Sequence, residues 1–446
     1  MTENSRGLPR ALTPFANHQY RILFLAVTMS LFGAGVWIVA IVWQVIALGG
    51  TPIELSIVAT GSAIGMLAAV LFGGVAADRI PQKRILVAVE STKVLAIGAV
   101  AALSMSGSLE LWHLTVAAFV LGVCEGFFYP AYSALLPGIL APEDLLAANG
   151  MEGVLRPIVM QAAGPAAASV AIAVWSPAAA FVIVGIAQVA AVIGLLFLRA
   201  TPVRGEFDEQ KRHPIVALLA DVGGGFVYMF RTPWLLATLL YACLLVLVIM
   251  GPIEVLLPFA VKDQVPTGVQ AIFGGGAGAF ALVLASFGIG GAVGSFVIAS
   301  LPLPRRYLTV MILLWVLGPI PLVLIGYTDQ LWLMAIAVFA VGFAFSAATV
   351  IWGTLLQRRV PAQLLGRVSS LDFFVSLALM PISMAVAGPV GVAIGIPLAF
   401  VIAGAVPTVL AVVTILVARL PKDEIENPLD PEPAAELPEI QTSGKE

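Results

Sequence analysis

Twelve long apolar runs, separated by short polar segments, are the feature that most constrains the fold of this chain. A transmembrane α-helix needs about 20 predominantly apolar residues, which is the length of these runs. The pattern therefore predicts an all-α integral membrane protein with twelve transmembrane helices. The predicted spans, numbered 1 to 12, lie near 21–48, 53–76, 84–106, 111–136, 148–174, 177–198, 233–260, 277–301, 306–326, 331–356, 368–392 and 394–419.

The charge content excludes several other classes of protein. Only 11% of the 446 residues are Asp, Glu, Lys or Arg, whereas a soluble domain averages about 25%, so a soluble enzyme and a disordered chain are excluded. A net charge of -3 provides no basic surplus for nucleic acid. The sequence has no phosphate-binding loop for a nucleotide. Its three histidines and two cysteines form no metal-binding cluster, so no cofactor is predicted.

The basic residues predict the orientation in the membrane. With the N-terminus inside, 19 of the 22 Lys and Arg residues fall in cytoplasmic segments, and only Lys262 falls in an outer loop. This bias satisfies the positive-inside rule and favours an even number of spans, with both termini cytoplasmic. No removable signal peptide is visible, so the first span is expected to act as the signal for insertion into the plasma membrane.

Polar segments divide the chain into five parts. The longest internal polar stretch separates six spans from six, and its residues 214–230 have apolar side chains at helical spacing, which favours a helix on the inner membrane face. The C-terminal tail carries eight acidic residues and several prolines, which predicts disorder. The parts are a cytoplasmic N-terminal segment, a six-helix bundle, a central cytoplasmic loop, a second six-helix bundle and the tail, at 1–20, 21–198, 199–232, 233–420 and 421–446.

The two halves of the chain resemble each other. Residues 73–84 after span 2 and residues 300–306 after span 8 are both short, basic segments that follow glycine-rich helices. A Gly-Pro pair at 164–165 in span 5 has a counterpart at 388–389 in span 11. Such similarity between corresponding positions of two six-helix halves is typical of parallel-repeat secondary transporters.

The loop after span 2 resembles a motif of the major facilitator superfamily. Gly74 is followed after three residues by Asp78 and Arg79, and then by Lys83 and Arg84, which is similar to the span 2–3 loop of that family. With the six-plus-six layout, the resemblance covers essentially the whole chain. It implies the major facilitator fold, in which two bundles rock about a central site to give alternating access.

Two shorter sequence strings resemble one group within this superfamily. Glu125-Gly-Phe-Phe in span 4 and the Leu-Gly-Arg-Val string around Arg367 are similar to the group of enterobactin exporters and Tap-type multidrug efflux transporters. The resemblance implies export of amphipathic small molecules. Two departures weigh against proton antiport without removing it. A Pro-Gln pair at 81–82 stands where the family has Gly-Arg, and the span 4 arginine of proton-driven exporters is absent near Gly122.

Two carboxylates inside the apolar runs are the predicted proton-coupling residues. An ionisable residue within the bilayer costs about 2.5–3.5 kcal/mol on insertion scales, so it needs a partner or a function. Glu125 lies near the middle of span 4, with no Lys or Arg within a turn of its own helix. Glu254 lies in span 7, which the resemblance places beside the central cavity. The alternatives are a neutral Glu125 hydrogen-bonded to a neighbouring helix and a Glu254 that pairs with Lys262.

Other charges predict ion pairs and a gate. Glu152 and Arg156 are four residues apart in span 5, and Glu90 and Lys93 are three apart in span 3. Both spacings bring side chains to one helix face, so both pairs are predicted as structural links near the cytoplasmic side. The resemblance implies that the acid of the loop motif docks at the start of span 11 in the outward-facing state. The predicted gating residues are Gly74, Asp78, Arg79, Lys83, Arg84, Arg367 and Asp372.

Aromatic side chains in spans 1, 4, 7 and 10 predict the substrate cavity, because these spans line the cavity in the family that the chain resembles. Aromatic faces beside carboxylates suit bulky lipophilic or cationic ligands. Ordinary helix packing is the alternative for each aromatic residue. The predicted cavity residues are Trp37, Gln44, Tyr129, Tyr132, Tyr241 and Trp352.

Together these features predict a secondary active transporter rather than an enzyme. The favoured interpretation is a monomeric, proton-coupled exporter of amphipathic small molecules that works by alternating access. An importer or uniporter of the same fold is one alternative, and a non-transporting membrane receptor or assembly partner is another. A siderophore, a drug and a lipid-like metabolite all fit an apolar cavity with one or two carboxylates.

Overall fold

The computed structural model describes residues 10–199, 227–361, 368, 371–372 and 374–429. Among these residues, twelve helices are long and apolar enough to cross a membrane, which confirms the predicted number. Spans 1 to 12 run over His18–Ala47, Pro52–Val70, Gln82–Met105, Leu111–Ile139, Ala147–Val174, Pro177–Leu196, Pro233–Gln264, Gly276–Ser300, Tyr307–Ile325, Leu331–Arg359, Phe374–Ile394 and Ile396–Val417.

Span 2 is longer than predicted, and span 9 is interrupted. The helix of span 2 continues beyond its apolar part, as Pro52–Arg79. Span 9 is broken between Tyr307–Leu317 and Leu322–Ile325. The break coincides with Pro319 and Pro321, which lack the backbone N–H that an α-helix needs.

Glycines let one pair of spans in each half approach closely. In the first half, a Cβ at Gly122 in span 4 would lie 2.0 Å from Ser62 O in span 2. In the second half, a Cβ at Gly342 in span 10 would lie 2.1 Å from Phe287 O in span 8. Only glycine fits at crossings this tight. The two pairs occupy corresponding positions, as expected for a repeated six-helix unit.

Spans 5 and 7 each contain a π-helical segment that begins at a proline. These segments are Pro157–Ala163 and Pro252–Leu256. Proline cannot donate to the α-helical hydrogen-bond ladder, and the wider π turn accommodates the missing bond. Arg156 and Glu254, two of the predicted functional residues, therefore lie at irregular helical turns. Such turns are often found at functional sites.

Helix direction places the connections between spans on two faces. We define the basic face as the one that carries the connections at 80–81, 140–141, 301–306 and 360–361. The opposite face carries the connections at 48–51, 106–110, 175–176, 265–275 and 326–330.

The two halves meet near the opposite face. Gly388 N in span 11 donates to Ser56 Oγ in span 2 at 2.7 Å. Trp43 near the end of span 1 stacks on Phe280 near the start of span 8, with ring centroids 5.7 Å apart. All four residues lie in the turns of their helices closest to the opposite face. These contacts therefore hold the halves together on that side.

Parts of the predicted cytoplasmic segments lie outside the described residues. Of the central loop 199–232, residues 200–226 are not described, so most of the amphipathic helix predicted at 214–230 is not tested. Residues 227–231 at its end are helical. The tail beyond residue 429 is likewise not described.

The first part of the acidic tail is ordered, in contrast to the predicted disorder. Leu420–Glu426 form a helix. Glu424 is 2% exposed, and its Oε2 accepts hydrogen bonds from Leu308 N (3.0 Å) and Thr309 N (3.1 Å) at the start of span 9. The prediction of disorder is wrong for residues 421–429, because a tail carboxylate satisfies backbone amides that a helix start leaves unpaired.

Candidate functional site

A cavity of about 220 Å³ lies among the six spans of the first half. A mostly apolar cavity with a few convergent polar groups is typical of a small-molecule site. Its polar lining residues are Ser30, Ser62, Lys93, Glu125, Arg156 and Gln188, and its larger apolar ones include Trp37, Leu121, Phe128 and Met160.

One lysine joins two carboxylates beside this cavity. Lys93 Nζ lies 2.6 Å from Glu125 Oε1 and 3.2 Å from Glu90 Oε1. Ser30 Oγ donates to the same Glu90 oxygen at 2.8 Å. The ammonium also lies over the ring of Phe128, 4.9 Å from its centroid. Spans 1, 3 and 4 are therefore linked by one buried polar network.

The position of Lys93 changes the interpretation of Glu125. Glu90 and Lys93 form the predicted pair on one face of span 3, but the pair belongs to a three-residue network. The sequence around Glu125 places no Lys or Arg within a turn of its own helix. The cation that pairs with Glu125 comes from the neighbouring helix, span 3. The spacing of residues along a single helix does not reveal such a partner.

Burial differs strongly between the two carboxylates. The Glu90 side chain is 0% exposed, whereas that of Glu125 is 43% exposed and lines the cavity. A buried charge is stable only when its remaining lone pairs are satisfied. Among the described residues, neither Glu90 Oε2 nor Gln188 Oε1 has a hydrogen-bond partner. Gln188 Nε2 donates to Ser30 O at 3.5 Å, so both unpaired oxygens belong to side chains that contact Ser30.

Sequence reasoning missed two polar members of this site, Ser30 and Gln188. The signal for both was a polar side chain inside an apolar run. That signal is weak, because serine and glutamine also occur in transmembrane helices as packing and hydrogen-bonding residues.

Arg156 adds a second cation to the cavity wall. Arg156 Nη2 lies 2.9 Å from Glu152 Oε1, so the predicted pair is present. Its guanidinium lies 6.0 Å from the centroid of the Tyr129 ring. With every group ionised, the three carboxylates and two cations of this region leave one net negative charge.

The predicted cavity residues of the first half divide into two groups. Trp37 lines the cavity and packs on Phe181, with ring centroids 5.5 Å apart. Tyr132 is 5% exposed and stacks on Phe128 at 6.2 Å. Tyr129 is 50% exposed but is not among the residues that line the cavity.

Gln44, Tyr241 and Trp352 are buried and do not line the first-half cavity, so their predicted role in a substrate cavity stays a prediction. Gln44 Oε1 accepts from Ser104 Oγ at 3.0 Å. The Tyr241 hydroxyl donates to a backbone carbonyl of span 12 at 3.5 Å. Trp352 Nε1 donates to Asp372 Oδ2 at 3.1 Å. Each side chain satisfies its polar end within the helix packing.

Glu254 stands apart from the first-half cavity. It is exposed, at the π-helical turn of span 7. Among the described residues, the structure shows no hydrogen bond or ion pair from its carboxylate. Lys262 lies 3.5 Å from its neighbour Asp263, so the alternative in which Lys262 pairs with Glu254 is not observed.

Residues of the predicted gating motif lie at the basic face. Lys83 Nζ donates to two backbone carbonyl oxygens at the end of span 6, where a cation also complements the helix dipole. Gln82 Nε2 donates to a carbonyl in the last turn of span 2 at 2.8 Å. Arg79 and Arg84 are exposed, and the space around Gly74 would admit a Cβ. In this structure Lys83 and Gln82 therefore tie helix ends together.

The predicted partner of this motif lies at the start of span 11. Asp372 accepts hydrogen bonds from Trp352 Nε1 and from Ser376 Oγ (3.2 Å). The side chain of Asp78 and the whole of Arg367 lie outside the described residues. The predicted approach of Asp78 to Asp372 therefore stays a prediction.

Comparison with known sequences identifies similar proteins over most of the chain. A family model described as Major Facilitator Superfamily matches residues 23–380. The multidrug efflux pump Tap of Mycolicibacterium fortuitum is 26% identical over 423 residues, which cover 90% of this chain and 95% of that protein. The enterobactin exporter EntS of Escherichia coli O1:K1 / APEC is 24% identical over 362 residues, which cover 79% of this chain and 80% of that protein.

Solved structures share the fold. A crystal structure of the peptide transporter POT in complex with sulfate matches with a TM-score of 0.69 at 13% identity, covering 91% of this chain and 96% of that one. A crystal structure of the nucleoside transporter NupG matches with a TM-score of 0.66 at 12% identity, covering 89% and 98%. At such low identities the likeness shows the fold alone.

Proposed function

Because this chain belongs to the major facilitator superfamily of transporters, we propose that it exports amphipathic small molecules in exchange for protons. The observation that carries the proposal is Glu125, a carboxylate at mid-membrane that is 43% exposed and lines a cavity. Ionisable residues at this depth mark substrate or proton pathways. Trp37 and Phe128 beside it provide the apolar, aromatic surface that an amphipathic ligand needs.

Alternating access requires the contacts between the halves to break and form again. Near the opposite face the halves meet through Ser56 and Gly388 and through Trp43 and Phe280. Span 8 also packs against the middle of span 5. The contacts near the opposite face fit a transporter that is closed toward that face and receives its substrate from the basic side. Opening toward the opposite face would separate both pairs and release the substrate there.

The charge distribution supports a cytoplasmic basic face. Lys and Arg are enriched in cytoplasmic loops of membrane proteins, and 19 of the 22 lie on the side of the termini in this topology. Substrate would then leave the cell as protons enter it across the plasma membrane. A difference of one pH unit across the membrane provides about 1.4 kcal/mol per proton, whatever the charge of the substrate. The names of the Tap and EntS relatives support the same direction.

The proposal is tested with purified protein in proteoliposomes, with substrates taken from a susceptibility screen of a deletion strain. We expect substrate movement to drive proton flux in the opposite direction, and Glu125→Gln to abolish both. Glu426→Gln is the matched control, because that carboxylate is exposed at the basic face and pairs with the equally exposed Lys422 at 3.5 Å.

Two results would contradict the proposal. Substrate and protons moving in the same direction would show symport and therefore import. Transport that proceeds without proton flux and survives Glu125→Gln would show a uniporter.

A further inference from the structure

Glu90 is a buried carboxylate that the proposed exchange at Glu125 does not use. Its side chain is 0% exposed. Glu90 Oε1 accepts from Ser30 Oγ and from Lys93 Nζ, whereas Oε2 has no partner among the described residues. An ionised oxygen that is buried without a hydrogen bond is costly. A proton on Oε2 removes the charge and turns this oxygen into a hydrogen-bond donor.

We propose that Glu90 holds the exchanged proton and that Lys93 acts as a switch between Glu90 and Glu125, so that a proton on Glu90 displaces a monovalent amphipathic cation from Glu125. The inference rests on the proposed function, since it assigns the proton and the substrate charge to different residues of the same site. In the protonated state Lys93 pairs with Glu125, and in the deprotonated state it pairs with Glu90.

The distances fit the protonated state. Lys93 Nζ lies 2.6 Å from Glu125 and 3.2 Å from Glu90. A lysine between two ionised carboxylates would gain most by approaching the buried one, because electrostatic attraction is strongest where water is excluded. Its closer approach to the exposed Glu125 is the arrangement that the proposed protonated state requires.

Loss of the proton frees Glu125. An ionised Glu90 attracts the ammonium, which needs to move only within its present hydrogen-bonding range. Two carboxylates then share one ammonium beside a largely apolar cavity, and their net negative charge favours a positively charged ligand at Glu125. Phe128 and Trp37 add aromatic faces that attract organic cations. The ligand class is therefore a monovalent cation with apolar substituents.

Among the described residues, few other titratable side chains lie near Glu90. Span 3 itself contributes Lys93, and span 4 contributes Glu125 and Cys124, whose Sγ lies 3.7 Å from a span 3 carbonyl. The side chains that approach from spans 1 and 6 are Ser30 and Gln188, which carry no charge. From span 5, Arg156 lines the same cavity. Of the two carboxylates that contact Lys93, Glu90 is the fully buried one.

The test measures binding of tetraphenylphosphonium to the purified full chain in detergent between about pH 6 and pH 9. We expect the wild-type affinity to rise with pH by up to about tenfold per unit, because binding releases one proton. A pH indicator in weak buffer should report that proton directly. Glu90→Gln imitates the protonated acid, so it should bind weakly at every pH and release no proton.

Matched variants separate this switch from a general effect on folding. Glu426→Gln removes a carboxylate of the tail helix that is 60% exposed and should keep the wild-type pH dependence. Ser30→Ala removes a hydrogen bond to the ionised form of Glu90, so the affinity change should move to higher pH. This variant keeps the test available if Glu90→Gln does not fold.

Specific outcomes overturn the inference. Unchanged pH dependence and proton release in Glu90→Gln, or in Ser30→Ala if the former does not fold, would show that Glu90 does not hold the exchanged proton. A second outcome is that the wild type does not bind the cation but exports another substrate in exchange for protons in proteoliposomes. This outcome would overturn the inference and leave the proposed function intact. Absence of any substrate-linked proton flux would overturn the proposed function itself.

Discussion

Lys93 is the residue on which the polar centre of the first half depends. Its side chain is 3% exposed, and its ammonium contacts both Glu90 and Glu125. The charge on Lys93 is tolerated at this depth because the Glu125 carboxylate lies 2.6 Å from its ammonium. Without the lysine, two carboxylates would face each other with no cation between them.

Lys93→Met, which keeps the length and removes the charge, should lower the free energy of unfolding by about 1–3 kcal/mol, because it removes the cation that pairs with Glu125 inside the membrane. Chemical unfolding in detergent measures the loss. Adding Glu125→Gln to this variant should restore part of the stability, since one of the unpaired charges is removed. Lys422→Met, at an exposed pair, should change stability by less than about 0.5 kcal/mol. Equal effects of the two lysine substitutions would contradict this account of Lys93.

The tail helix Leu420–Glu426 is the element that differs most from the sequence-based expectation. Arg359 at the end of span 10 lies 2.5 Å from Asp423 of this helix. The same guanidinium lies 4.4 Å from the centroid of the Trp234 ring in span 7. Together with the contact of Glu424 to span 9, the tail helix joins the basic-face ends of three spans in the second half.

Glu424→Ala should lower the free energy of unfolding by about 1–2 kcal/mol, because it removes a capping carboxylate from the start of span 9. Thermal unfolding in detergent measures this loss, and limited proteolysis should cleave faster near residue 420. Glu426→Ala is the matched control on the same helix, since its carboxylate is 60% exposed. A protease-resistant tail in Glu424→Ala would show that other contacts hold it.

Elements were predictable from the sequence to different degrees. The spans were predictable because an apolar run of this length has few alternatives to a transmembrane helix. The tail helix was not, because the atoms that order it lie far away along the chain, with Leu308 116 residues before Glu424. Its acidic composition alone favoured disorder, and contacts with the start of span 9 and the end of span 10 reverse that preference.

At the scale of the whole molecule, the two halves are held together near the opposite face. Gly388 packs so closely that an added Cβ would lie 2.2 Å from Pro52 O and 2.6 Å from Ser56 Oγ. Pro52 O is a backbone atom, so it cannot move away from an added Cβ as easily as the end of a flexible side chain can. The closed arrangement of spans 2 and 11 therefore depends on a glycine at this position.

Gly388→Ala should shift the population toward the state that is open at the opposite face. A membrane-impermeant maleimide applied outside intact cells should label Ser62→Cys in the cavity several-fold faster in this background. The native cysteines Cys124 and Cys243 are buried and give the background rate. Gly185→Ala is the matched control, because nothing lies within 4 Å of its added Cβ. Equal labelling in the two backgrounds would contradict a gating role for the Gly388 contact.

The sequence by itself determined the class of this protein. Long apolar runs leave a helix as the structure that satisfies every backbone group in lipid, basic residues bias the topology, and short motifs indicate the family. Only the tertiary structure decided which charges meet. Lys93 contacts Glu125 because spans 3 and 4 pack together, and Tyr241 and Trp352 are buried because of the rotation of their helices. Hydropathy reports the depth of a residue in the membrane, whereas helix rotation and packing determine the atoms that it contacts.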